Sequence, residues 1–154
     1  MMPVTDVIAT MLHAVDDLDW GTVRSSFTTE VEIDYTSLWG GEPETLTADE
    51  LIDRWRQLLP GFDATQHLIG PVAVTEADQL TASCATNVRG YHRVGDATWM
   101  VAGRYVMHLV RADGSDWRIV TLTLRHYYDD GDRGMVDVAT KRAAERAGRA
   151  TRSG

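Results

Sequence analysis

From Ala64 to Tyr128 the chain reads almost without interruption as β-strand. Apolar and β-branched residues alternate with polar ones over 64–75, 79–94, 98–111 and 116–128. Gly95-Asp96 and Asp113-Gly114 supply turns, whereas Glu76-Ala77-Asp78 is a weaker junction. Strand runs joined by such short turns lie antiparallel, because a parallel return needs a crossover of a dozen residues or more. Nearly half of the chain is thereby committed to one sheet, whose apolar face must be covered by whatever lies outside it.

The cover comes from helices. Val4, Val7, Ile8, Met11, Leu12, Val15 and Leu18 recur at helical spacing over 4–18. Asp19 can cap a second, short helix in which Trp20, Val23 and Phe27 share a face. Glu30–Leu38 alternates again, with Val31, Ile33 and Tyr35 on one side and Asp34 on the other. After the Gly40-Gly41 loop, Thr47-Ala48-Asp49-Glu50 is a capping box. It opens a helix that buries Leu51, Ile52, Trp55, Leu58 and Leu59 and stops at Pro60-Gly61. Helices first, then strands with one helix interposed, is an α+β pattern: a strongly curved, mostly antiparallel sheet closed on one face by helices, leaving a conical pocket. Residues 1–134 read as a single domain. Residues 135–154 read as a helix from Met135 to Arg149 and a frayed basic tail.

Composition narrows the partners. The net charge is −8. From Lys141 onward the chain carries +4, leaving −12 for the remainder. An acidic body disfavours nucleic acid and anionic membranes, and the basic end reads as a solvated tail. A single cysteine, Cys84, precludes an intrachain disulfide and a cysteine-based metal site. Neither a signal-peptide pattern nor a run of about 20 apolar residues is present, so the reading is soluble and cytoplasmic.

Four side chains combine reactivity with a position on or beside an apolar face: Asp16, Tyr35, His67 and His92. His67 lies inside Ala64-Thr65-Gln66-His67-Leu68-Ile69-Gly70-Pro71. His92 shares a strand face with Leu80, Ala82, Cys84 and Val88. An imidazole can take and return a proton near neutral pH, a neighbouring carboxylate orients it and stabilises its cation, and a buried phenol can donate to an oxygen that gains negative charge. Together they could move a proton next to a carbonyl. The pairing read from the sequence is Asp16 with His92, which would raise that histidine's pKa, with His67 as the lone base. The same three residues could also be metal ligands, although their spacing matches no metal motif. Trp39 and Trp99 are large aromatics suited to cavity walls. His13, His108 and His126 gain nothing from pattern.

Asp16 with Asp19-Trp20, Val31-Glu32-Ile33-Asp34-Tyr35-Thr36-Ser37, Thr65-Gln66-His67-Leu68-Ile69-Gly70, and Asp113-Gly114 followed by Trp117-Arg118-Ile119 resemble scytalone dehydratase and the bacterial SnoaL-like proteins, over roughly residues 4–130. That resemblance implies an NTF2-like cone and a lyase or isomerase acting without metal or organic cofactor. It implies catalytic roles for Asp16, Tyr35, His67 and His92, with His67 as base and acid, and a homodimer or homotrimer. The implied substrate is a small hydrophobic carbonyl compound, aromatic or polyketide-like. Polyketide cyclases, ketosteroid isomerase-like enzymes and non-catalytic binding proteins share the superfamily. The resemblance is incomplete. Val15 stands where the dehydratase has a water-holding tyrosine, and Gly103 and Tyr105 fall where it has serine and asparagine. Tyr105 is therefore a candidate substrate-binding residue of a different kind.

Overall fold

The computed structural model describes residues 1–153. Its elements run α1 (Val4–Asp16), α2 (Trp20–Ser25), β1 (Phe27–Asp34), α3 (Thr36–Trp39), β2 (Glu44–Thr47), α4 (Ala48–Arg56), a 3₁₀ turn (Leu59–Gly61), β3 (Ala64–Ile69), β4 (Ala73–Ala77), β5 (Thr81–Val94), β6 (Ala97–Val110), β7 (Arg118–Gly131) and α5 (Met135–Ser153). One seven-stranded sheet has the order β2-β1-β7-β6-β5-β3, with β4 also paired to β5. Its pairs are antiparallel except β1 with β7. The sheet is curved and unclosed, the α+β cone expected from the pattern.

β5, β6 and β7 are the long staves of the cone, each of 14 residues. The inward residues of β5 alternate from Ala82 to His92 without a bulge, so His92 faces the interior. β7 slips register against β6 at Ala102/Gly103 and at His108/Leu109. Such bulges bend the sheet.

The expected strand 64–75 is two strands. β3 pairs with Val88–Arg93 and β4 with Ala82–Ala85. Pro71 has no N–H to donate to a ladder, and the chain leaves the sheet there. Thr86 bridges the break, donating its hydroxyl to the Gly70 carbonyl at 2.9 Å.

α1 lays its apolar stripe over the sheet, with Val4, Val7, Ile8, Met11, Leu12 and Val15 all buried. It ends at Asp16, not 18, because Leu18 turns the chain with φ 56°. Asp19 then caps α2 through the Thr22 N–H. The capping box is present as read: Thr47 Oγ1 accepts from the Glu50 N–H at 3.1 Å. Truncating fully buried core residues such as Ile8, Met11, Leu109 or Ile119 would cost about 2–5 kcal/mol each.

α5 runs past Arg149 to Ser153, and its cations are not all solvated. Arg142 pairs with Asp63 at 2.6 Å, and Arg146 donates to the Pro60 carbonyl. A Cβ on Gly61 would lie 1.7 Å from the Ala139 carbonyl oxygen, so only glycine lets helix and 3₁₀ turn meet there. That contact fixes Leu59 and Phe62, which stand next to the pocket.

Candidate functional site

The cone encloses a cavity of about 120 Å³. Its wall is mostly aliphatic and aromatic, including Met11, Leu12 and Val15 from α1, Val88 from β5 and Leu122 and Leu124 from β7. Four polar side chains converge on it: Tyr35, His67, His92 and Tyr105. Trp39 and Trp99 line it too, with ring centroids 6.0 Å apart.

Asp16 pairs with His67, not with His92. Asp16 Oδ1 lies 2.7 Å from His67 Nδ1, and Oδ2 accepts from the His67 backbone N–H at 2.8 Å. Thr65 Oγ1 donates to Oδ1 at 2.9 Å. The reason for the reversed pairing is topological. β3 is the edge strand on which α1 packs, whereas His92 lies one strand further in. Burial alone would raise the Asp16 pKa. The hydrogen bonds and charge of His67, helped by Thr65, outweigh it and hold the carboxyl below its usual range. An ionised carboxylate only accepts, so Nδ1 carries the proton and Nε2 is left as the basic nitrogen.

His92 is buried and finds a backbone partner. Its Nδ1 donates to the Trp99 carbonyl at 3.1 Å, and its ring stacks on the Trp99 indole with centroids 4.4 Å apart. Phe62 covers it at 4.9 Å. Burial first, and then the neighbouring His67, push its pKa down to about 4. This is opposite to the rise expected from a carboxylate partner. His92 is a neutral imidazole with Nε2 as an acceptor. The two rings meet edge-on at 6.1 Å. Between them lies Gly90, where a Cβ would touch both at 3.5 Å, so its bare backbone keeps the space beside His67 Nε2 clear.

Tyr35 and Tyr105 interact with one another. Burial, reinforced by Tyr105, raises the Tyr35 pKa well above normal. Burial takes Tyr105 up to about 12. Both phenols keep their protons; because the two are hydrogen-bonded to each other, one O–H of the pair is left to donate into the cavity. Of the other two positions where the dehydratase differs, Val15 lines the cavity and Gly103 does not.

Thr65 was not singled out from the sequence, yet its place two residues before His67 on one strand put it on the same face. A signal for Asp16 was also present. A carboxylate in the last turn of a helix opposes the helix dipole by about 0.3–1 kcal/mol, so it calls for a compensating partner. Among the described residues, no group of three or more His, Cys, Asp or Glu side chains is arranged to hold a metal ion. Among the described residues, no helix is long and apolar enough to cross a membrane.

A family model for the SnoaL-like domain matches residues 3–123, and the chain belongs to that family. Solved structures share its fold. The Kfla4162 protein of Kribbella flavida is 24% identical with a TM-score of 0.75, over 90% of this chain and 93% of that one. A scytalone dehydratase-like protein of Novosphingobium aromaticivorans is 16% identical with a TM-score of 0.69, over 83% and 84%. The hexachlorocyclohexane dehydrochlorinase LinA-type3 of Novosphingobium barchaimii is 18% identical with a TM-score of 0.66, over 85% and 88%. These likenesses make the architecture an NTF2-like cone. No curated protein matches the chain by sequence.

Proposed function

We propose that the chain is a cofactor-independent lyase or isomerase acting on a small, uncharged, largely apolar carbonyl compound. The observation that carries the reading is the Asp16–His67 pair, whose imidazole lines an apolar cavity. His67 Nε2 removes a proton from the carbon next to the carbonyl, and Asp16 stabilises the imidazolium that forms. The electron pair of the broken C–H bond moves onto the carbonyl oxygen, which takes a hydrogen bond from the Tyr35–Tyr105 pair. The enolate collapses by expelling a β-substituent, which leaves with the proton His67 returns, or by reprotonation at another carbon. Dehydration, isomerisation and ring closure share this first step. A scytalone dehydratase-like protein and a dehydrochlorinase among proteins of the same fold are consistent with elimination chemistry.

A pocket that only binds its ligand is favoured by one observation: His92 is held by a backbone carbonyl and stacked rings, with no carboxylate. Deuterium incorporation next to the carbonyl of 2-tetralone in D₂O, followed by NMR, separates the two. The catalytic reading expects exchange above background that His67→Ala abolishes. Exchange unaltered in His67→Ala would refute it.

A further inference from the structure

The cone is too small for a large substrate. A cavity of about 150 Å³ takes a single benzene ring, and this one has about 120 Å³. A second chamber of about 340 Å³ adjoins it between α3, β2 and α4. The two share four lining residues, Tyr35, Trp39, Trp55 and Leu58, a collar of side chains at their boundary. Three of the four are flat rings, against which a planar molecule would stack.

The outer chamber has two kinds of wall. Ile33, Leu46 and Leu51 give it an apolar floor, and Glu42, Glu44 and Arg54 stand at its rim. Arg54 is already held by Glu44 at 2.6 Å. The rim therefore carries one net negative charge, with its cation engaged, on a body that is itself acidic. An anionic tail, such as a carboxylate or phosphate, would meet repulsion there.

We infer that the cone and the outer chamber form one two-part binding site. The reacting ring sits in the cone, and the rest of an uncharged, planar, multi-ring carbonyl compound passes the collar into the chamber lined by Ile33, Leu46 and Leu51. This builds on the proposed function by naming the size and charge class of its substrate.

The test is a ladder of uncharged ketones, cyclohexanone, 2-tetralone and anthrone, titrated against the tryptophan fluorescence of the full chain. Each added ring buries more apolar surface, so anthrone should bind at least ~10-fold tighter than cyclohexanone. Glu42→Trp places a large ring in the outer chamber from an exposed position. It should weaken anthrone by about 10-fold and leave cyclohexanone unchanged. Arg54→Trp, on the exposed side of α4, is the second filler if the first does not fold. 2-Naphthoate should bind more weakly than 2-naphthamide. Equal affinity along the ladder, equal weakening of both ketones by a filler, or tighter binding of the naphthoate would overturn the inference. His67→Ala keeps the two failures apart. A flat ladder refutes the second chamber whatever that variant does to exchange, and a steep ladder with exchange intact refutes only the catalytic assignment.

Discussion

Two histidine–aspartate pairs occur among the described residues, and they are built for different ends. Asp16 and His67 are 51 residues apart and meet where α1 ends on β3. Asp129 and His126 are three residues apart on β7. In the first pair the carboxylate is bonded, among the described residues, to Thr65 and His67, and the ring lines the cone. In the second, Asp129 also takes the Trp99 indole N–H at 2.8 Å and the fork of Arg133 at 3.0 Å on each oxygen. Burial would raise the Asp129 pKa, but Arg133, Trp99 and His126 outweigh it and bring it to about 2. Arg133 then donates to the Leu38 carbonyl and lies over Trp39. This second pair braces the pocket mouth. A His–Asp contact becomes chemical when the ring keeps a free nitrogen facing a cavity and no fixed cation already satisfies the carboxylate.

The contrast can be broken most directly at Asp16. Asp16→Asn should slow 2-tetralone exchange by about 10²–10⁴-fold, the usual worth of positioned acid–base help. Its Tm should fall by only a few degrees, about 1 kcal/mol. A variant that exchanges at the wild-type rate would remove the distinction between the pairs.

The histidine with no carboxylate gives the next largest effect. The unfolded chain protonates His92 near ~6.5, while the folded chain resists until about 4. The unfolded state thus binds more protons in that window, and stability falls as pH falls through it, by about 3 kcal/mol at most. Urea denaturation of wild type and His92→Phe between pH 7 and pH 4 measures it. Identical pH slopes would show that His92 is not buried as a neutral ring.

Asp129→Asn should do the opposite of Asp16→Asn. It strips a charge-assisted partner from Arg133 and should cost about 2 kcal/mol in chemical denaturation, with exchange reduced less than ~10-fold. Because its pKa is depressed, the stability that Asp129 contributes is present above ~3.9 and lost as pH falls towards about 2. A rate loss as large as that of Asp16→Asn would make the second pair catalytic.

The smallest effect tests the joint beside the first pair. A leucine at φ 56° bears strain that glycine does not. Leu18→Gly should raise stability by about 0.5–1 kcal/mol while leaving exchange intact. Destabilisation would mean that the Leu18 side chain contributes more than its backbone costs.

The legible parts of this chain were those governed by local periodicity. The stripe of α1, the Thr47 cap and the face carrying His92 follow from residues adjacent in sequence, so the cone could be foreseen. The partner of Asp16 could not. Periodicity placed Asp16, His67 and His92 near one interior but carried no information about strand order, and strand order puts β3 rather than β5 under the end of α1. The outer chamber was illegible for a similar reason. Residues 39–48 follow no period, and the short α3 and β2 that wall it are set by tertiary packing. The break after Gly70 was marked by Pro71, yet the apolar residues beyond it continued the strand pattern.

β3 is also a border. It ends the strand order, so the N–H groups on its outer side have no neighbouring strand, and such a row is a template on which a second chain can add itself. Asp16 Oδ2 occupies the one at His67. The carboxylate that orients the imidazole therefore also seals the sheet against association at that point. Removing the side chain with Asp16→Ala would uncover a sticky margin as well as disarm a base. Losses in soluble yield and in activity would then share a single cause, and selection for either property would retain the same residue.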